Sequence, residues 1–314
     1  MNLKKKMNHF LIFGTSYFIF ILLIFIGRDS LLAHLPLGLL LLSFPHFIQT
    51  YWIWARGIKN WSREWIPLAF PILYVTIFFL IDYFKHPIFS IDTLLKVSYL
   101  YLLYHFAQQL YGITLWSSMK WGIHFSSLRK HLMRMLFLVT AVYSWLEMET
   151  RGEVEYLFFH PVSSWKLSSG YLIFGFALVF CLSVIVVFLS FWDFIQKKNL
   201  RMIYLLAPLG LSWLWFIPPL NKDLTFYLPL LHGLQYMPFI FLKTKDLSKS
   251  GQLVLAVASV GIGWVFFRWL PFEVSILEGT LWPALILSFL NNHHFIIDGR
   301  IWKLRDPANQ ILLD

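Results

Sequence analysis

The sequence has 314 residues, of which 58% are apolar and only 13% are charged, and it carries a formal net charge of +10. A soluble domain needs roughly a quarter of its residues charged to solvate its surface. These numbers therefore exclude a single water-soluble globule and predict that lipid covers much of the chain. The single cysteine, Cys181, excludes both a disulfide framework and a Cys-x-x-Cys metal site.

Ten apolar stretches follow one another along the chain, and a membrane-spanning helix needs about 20 such residues. They lie at about 8–27, 31–54, 66–84, 94–117, 132–147, 168–192, 202–220, 225–242, 252–270 and 279–299. The sequence therefore predicts an all-α, polytopic transmembrane helix bundle of about 10 spans, which forms a single domain over residues 1–314. The acidic segment at about 148–167 is predicted to form a short cap between two spans.

The basic residues predict the direction of each span, because Lys and Arg concentrate in cytoplasmic loops. Of the 26 basic residues, 19 fall in one alternating set of loops, and the other seven are Arg28, Lys85, Lys96, Arg151, Lys166, Lys222 and Arg268. This distribution predicts that both termini are cytoplasmic, with the bacterial inner (plasma) membrane as the location. Because the positive charge sits between apolar stretches, it indicates an anionic membrane surface and no nucleic acid partner.

Histidine occurs within the second, fourth, eighth and tenth predicted spans. Three of these residues, His46, His105 and His232, are each followed three positions later by glutamine, at Gln49, Gln108 and Gln235. Residues i and i+3 share a helix face, so each pair directs two polar side chains the same way. Polar side chains inside spans are energetically costly, and for that reason they indicate a functional site.

The four histidine-bearing spans are all even-numbered, so they are predicted to run from outside to inside. Counted from the next cytoplasmic basic residue, His46, His105, His232 and the pair His293-His294 lie at similar depths. Neutral imidazole nitrogens that meet at one depth are suitable ligands for a metal ion or a haem. We predict His46, His105, His232, His293 and His294 as metal ligands, with nearby amides that orient them: Gln49, Gln108, Gln109, Gln235 and Asn291.

Asp298 lies four residues after His294, so both side chains are predicted to share one helix face. We predict Asp298 as the catalytic residue of the site, either as a carboxylate ligand or as a proton carrier. It could equally accept a hydrogen bond from a ligand or pair with a cation of an inner loop, such as Arg56.

The carboxyl-terminal run His293-His294-Phe295-x-x-Asp298-Gly299-Arg300-Ile301-Trp302-Lys303-x-Arg305 resembles a terminal motif of multipass bacterial membrane proteins. More loosely, the histidines within spans are similar to those of the Brp/Blh carotene-cleaving dioxygenases. In that family, histidines hold an iron ion inside the membrane. The resemblance implies non-haem iron held by a subset of the five histidines, while Phe44-Pro45-His46-Phe47 matches the Leu-Pro-His-Gly pattern of that family only in part.

Four functions are consistent with these residues. The first is a metal-dependent oxidoreductase, with non-haem iron, acting with dioxygen on a lipophilic substrate that it reaches from the lipid bilayer. The second is electron transfer by a haem b held between two of the histidines. A third is a transporter or proton path that uses the His, Gln and Asp side chains as a relay. The fourth is a membrane scaffold in which these polar residues only join helices.

Overall fold

The computed structural model describes residues 39–58, 64–84, 90–120, 123–197, 206–217, 228–274 and 279–301. The predicted span at about 8–27 and both predicted cytoplasmic termini lie outside these ranges. Within them the chain is mostly helical, which confirms the predicted α-helical class.

Within the described residues, nine helices follow one another, and each overlaps one of the last nine predicted apolar stretches. They are α1 (Phe44–Gly57), α2 (Trp65–Phe84), α3 (Ile91–Lys120), α4 (Ser127–Thr150), α5 (Ser169–Lys197), α6 (Leu206–Phe216), α7 (Leu228–Lys243), α8 (Lys249–Trp264) and α9 (Leu281–Ile301). Helix α1 follows a π-helical turn, Leu39–Ser43, and α8 continues through a second π-helical turn, Val265–Trp269, into Leu270–Phe272. Serine caps begin α4 and α8, since Ser126 and Ser248 accept hydrogen bonds from the main-chain N–H groups of Arg129 and Gly251.

Two of the described helical segments are long and apolar enough to cross a membrane by themselves, Ser169–Trp192 and Lys249–Phe272. Both are mostly unburied within the chain, as expected of surfaces that contact lipid. Other helices carry buried polar groups, such as Lys96 and His105 on α3, which lower their mean hydropathy. The arrangement of about ten spans stays a prediction, as does the membrane location.

The four histidine-bearing helices run in the same direction, as the sequence predicts. Helices α3 and α9 touch at successive heights in the same order, through Ser98–Asn292, Tyr101–Phe295 and His105–Asp298. Likewise α1 and α7 meet first at His46 and His232, and then at Arg56, in the last turn of α1, and Asp246, just beyond the end of α7. The Arg56 guanidinium donates to the Asp246 carboxylate and holds the pKa of that exposed carboxyl below its ordinary value.

Helix α8 packs closely against the beginning of α1, and glycine makes this approach possible. A Cβ atom on Gly263 would lie 2.8 Å from the Phe44 Cβ atom and 3.3 Å from the Phe44 carbonyl oxygen. The Phe44 ring stacks on Phe267 of the following π-helical turn, at 4.7 Å between centroids. This contact positions the first turn of α1, two residues before His46.

We therefore expect Gly263→Ala to destabilise the protein by about 1–3 kcal/mol, because the added methyl group must displace Phe44. The matched control is Gly261→Ala, since a Cβ atom there would meet nothing within 4 Å. Alanine favours the helix over glycine, so the control should be neutral or more stable by up to about 1 kcal/mol. Thermal unfolding in detergent measures both variants, and equal midpoints would contradict the close contact.

The predicted acidic cap is a β-hairpin in which β1 (Val154–Leu157) pairs antiparallel with β2 (His160–Ser163). Its two strands are the only β-strands in the described ranges. The turn residues Phe158 and Phe159 have positive φ angles of 50° and 71°, a conformation that bulky side chains rarely adopt. Contacts from Phe159 to Phe272 and from His160 Nδ1 to Thr280 Oγ1 (3.0 Å) join the hairpin to the segment that precedes α9.

A buried ion pair lies beside this hairpin, where α3 begins and α4 ends. Lys96 Nζ is 2.8 Å from Glu149 Oε2, and the two side chains are 1% and 0% exposed. The Trp165 main-chain N–H donates to the same carboxylate oxygen at 2.7 Å, and the ammonium lies 4.4 Å from the centre of the Trp165 ring. The pair therefore joins α3, α4 and the segment after the hairpin.

Candidate metal centre

Three histidines and one aspartate from three helices converge inside the bundle: His46 of α1, His232 of α7, and His294 and Asp298 of α9. One ligand atom from each lies within 4.8 Å of the others, and the four residues are 0%, 1%, 0% and 2% exposed. Residues 294 and 298 are one helical turn apart, so the shared face predicted from the spacing is present. A buried His-His-His-Asp group of this kind could bind a metal ion.

His105 of α3 borders the group as a fourth histidine. Its ring centroid is 4.9 Å from that of His232, and its Nε2 atom is 3.5 Å from Asp298 Oδ2. His294 Nε2 lies at the same distance from that oxygen. The Asp298 carboxylate therefore lies between two imidazoles, and it also interacts with the Tyr236 hydroxyl of α7.

Several imidazole nitrogens in the group are buried and make no hydrogen bond. They are both ring nitrogens of His46 and of His294, and Nε2 of His105 and of His232. A buried polar atom without a partner costs about 1–3 kcal/mol, so this number of them at one place needs an explanation. A metal ion that accepts one nitrogen each from His46, His232 and His294 would account for three of these six atoms, since neutral imidazole is a common metal ligand.

Aromatic side chains hold three of the rings in position. Phe47 stacks on His294 and Phe295 stacks on His105, each at 3.9 Å between centroids, and Tyr236 stacks on His46 at 4.6 Å. Such stacking fixes the plane of each imidazole and surrounds the group with apolar surface. The ring directions are thus set by packing, which is what a metal site requires of its surroundings.

Gln109 orients the remaining ring. Its Oε1 atom accepts a hydrogen bond from His232 Nδ1, and its Nε2 atom donates to Gln235 Oε1 at 2.9 Å. This places the proton of His232 on Nδ1 and leaves Nε2 as the atom with a lone pair toward the group. Gln109 and Gln235, both predicted as orienting amides, thus act together on the histidine of α7.

The Gln109→Leu variant tests this arrangement, because leucine keeps the volume and removes the acceptor. If the site binds a metal ion, we expect the affinity of the variant for that ion to fall by about 10–100-fold. This is the usual effect of removing the hydrogen bond that orients a metal-binding histidine. Gln252→Leu, on α8 and away from the site, serves as the control. Competition with a calibrated chelator measures the affinity, and unchanged binding would mean that Gln109 does not orient His232.

The structure does not bring His293 into the group. Its Nδ1 atom is 2.7 Å from the Tyr51 hydroxyl and its Nε2 atom is 3.0 Å from the Pro67 carbonyl oxygen, so both ring nitrogens are occupied. Asn291 is also directed elsewhere, since its amide donates to the Leu287 carbonyl oxygen at 2.7 Å. The suggested pairing of Asp298 with Arg56 is wrong, because Arg56 pairs with Asp246 instead.

The two other predicted amides, Gln49 and Gln108, make no hydrogen bond to a histidine in the described ranges. The Gln49 Oε1 atom is buried without a hydrogen-bond partner, as is Gln108 Nε2 at the edge of a cavity. Tyr236 both stacks on His46 and interacts with Asp298, so it is a part of the site that the predicted residues do not include. In the sequence, the only feature that indicates Tyr236 is its position directly after Gln235.

A cavity of about 580 Å³ reaches the group from one side. Its walls come from α2, α3, α7 and α9, and they are mainly aromatic and aliphatic. His105, Tyr236 and Asp298 contribute to its lining, so a molecule in the cavity would meet the edge of the histidine group.

Comparison with known proteins adds no relative. No protein-family model, no curated protein and no solved structure matches this chain. The resemblance to the Brp/Blh dioxygenases therefore stays a prediction, and the function has to be argued from the site.

Proposed function

We propose that this chain is an integral protein of the bacterial inner membrane that binds one iron ion and uses it to oxidise a lipophilic substrate. The ligands would be His46, His232, His294 and Asp298, with His105 at the open side. The observation that carries this proposal is the convergence of four buried ligand atoms within 4.8 Å of one another. Atoms bound to one ion at about 2.0–2.2 Å lie at most about 4.4 Å apart, so only a small contraction is needed.

The donor set supports iron as the ion. Three neutral nitrogens and one carboxylate oxygen contain the two-histidine, one-carboxylate combination of non-haem iron oxygenases. Bound there, iron would supply the capacity to activate dioxygen. The close packing favours a single ion over a haem, because Phe47, Phe295 and Tyr236 occupy the space around the rings that a porphyrin would need.

The chain's own residues would prepare the site in three ways. The stacked aromatic rings exclude water and thereby limit side reactions. The Gln109 amide holds the tautomer of His232. At the cavity wall, His105 and Asp298 place a base and a carboxylate 3.5 Å apart, where a proton can be held next to a bound substrate.

Elemental analysis of detergent-purified protein, together with a visible spectrum, tests this proposal. We expect close to one iron per chain and no Soret band. A Soret band would identify the cofactor as haem b instead of a single iron ion. Stoichiometric zinc would indicate metal-assisted hydrolysis as the reaction instead of oxidation. Protein purified without chelators that contains no metal would overturn the proposal and favour the transport alternative, which flux assays would then examine.

A further inference from the structure

The cavity beside the histidine group extends along α3. One face of α3 forms its wall, with Tyr101, His105, Gln108, Gly112 and Trp116 spaced three or four residues apart. From Tyr101 to Trp116 the helix rises about 22 Å. The cavity volume of about 580 Å³ lies within the usual range of sites that hold an organic ligand.

The walls and the opening of the cavity suit an apolar molecule. Besides α3, the lining includes Phe239 of α7 and Phe295 of α9. Two lining residues, Ile66 and Tyr104, are 40% and 41% exposed, so the cavity reaches the protein surface between α2 and α3. Exposed apolar and aromatic side chains at that opening fit an entry from lipid more closely than an entry from water.

Two charged side chains line this cavity, Asp298 and Arg300. Asp298 belongs to the histidine group, where a metal ion would neutralise its charge. Arg300 is half-buried at the end of α9, and it makes no ion pair with any residue in the described ranges. A guanidinium at the wall of an apolar cavity favours a ligand with an anionic group such as a carboxylate, which it can bind through two parallel hydrogen bonds.

The geometry points to a single-chain lipid with a carboxylate head, a long-chain fatty acid, as the ligand of this cavity. Its head binds Arg300, and its chain lies along α3 past His105 and Asp298. This inference rests on the proposed function, because it identifies the substrate class of the same site.

Protection of an introduced cysteine from alkylation tests the inference. Gly112 lines the cavity, and a Cβ atom there would meet nothing within 4 Å, so Gly112→Cys is compatible with the fold. It is made together with Cys181→Ser, which removes the only native thiol. Gly261→Cys and Gly57→Cys in the same background are the controls, since both positions are exposed and equally open to a side chain.

We expect palmitate to slow the alkylation of the Gly112→Cys variant by N-ethylmaleimide about tenfold, while the two control variants react at unchanged rates. Methyl palmitate, which has no charge, should protect the thiol at position 112 about tenfold less effectively, as the loss of one charged hydrogen bond predicts. When Arg300→Gln is added, the acid and the ester should become equivalent, and Arg300→Lys should restore part of the difference.

Three outcomes would overturn the fatty acid: a thiol at position 112 that does not react without ligand, no protection by palmitate, or equal protection by acid and ester in the native Arg300 background. Iron content is measured on the same preparations. Iron without protection overturns this inference and leaves the proposed function standing. Absence of iron from the wild-type protein overturns the proposed function, whatever the alkylation rates.

Discussion

If the histidine group binds a metal ion as proposed, replacing His294 by alanine is expected to remove that ion from the protein. The residue is fully buried and supplies one of the four ligand atoms, so its loss leaves three of them. We expect metal affinity to fall by well over 100-fold, more than the effect of losing an outer hydrogen bond. His46→Ala and His232→Ala should behave in the same way. Elemental analysis after gel filtration measures the bound metal.

The neighbouring residue provides the control. His293 is the same residue type at the adjacent position, but its ring nitrogens contact Tyr51 and the Pro67 carbonyl oxygen. His293→Ala should therefore keep the metal ion, although the loss of two hydrogen bonds should lower the midpoint of thermal unfolding. If His293→Ala loses the metal while His294→Ala retains it, the assignment of ligands is wrong.

Breaking the buried ion pair between α3 and α4 should lower the free energy of unfolding more than the other substitutions predicted above. Lys96→Met leaves the Glu149 carboxylate buried without its cation, and we expect a loss of about 3–5 kcal/mol. Lys130→Met on the exposed face of α4 is the control and should be nearly neutral. Unfolding in detergent by denaturant measures the free energies.

The double variant Lys96→Met, Glu149→Leu separates the ion pair from simple loss of packing. It removes both charges together, so it should recover most of the stability lost by Lys96→Met alone. A double variant whose loss equals the sum of the losses of Lys96→Met and Glu149→Leu would show that the two residues are not coupled, and it would contradict the buried ion pair. The metal content of the double variant should equal that of the wild-type protein, since neither residue belongs to the histidine group.

The ion pair also shows a limit of sequence reasoning. Lys96 and Glu149 are 53 positions apart, and by hydropathy alone both read as solvated residues near the ends of spans. Only the packing of α3 against α4 buries them together. The hairpin is a similar case, because the segment 148–167 is predicted as an acidic cap, while its strand pairing and its contacts with Phe272 and Thr280 are seen only in the structure.

The sequence by itself determined where the helices lie, which of them carry histidine, and that those helices run in one direction. These features follow from local hydropathy and from the alternation of basic loops, so no long-range contact is needed to infer them. They were sufficient to select His46, His105, His232, His294 and Asp298 as candidates for one site.

Only the tertiary structure decided which polar atoms meet. Adjacent helical residues point about 100° apart, so His293 and His294 cannot both face one point, and packing of α9 against α1 and α2 selects His294. The tertiary structure also joins Gln109 to His232 across two helices, a contact that spacing within one helix cannot predict. Composition thus determines which residue types are available, while the rotation and packing of the helices determine which residues form the site.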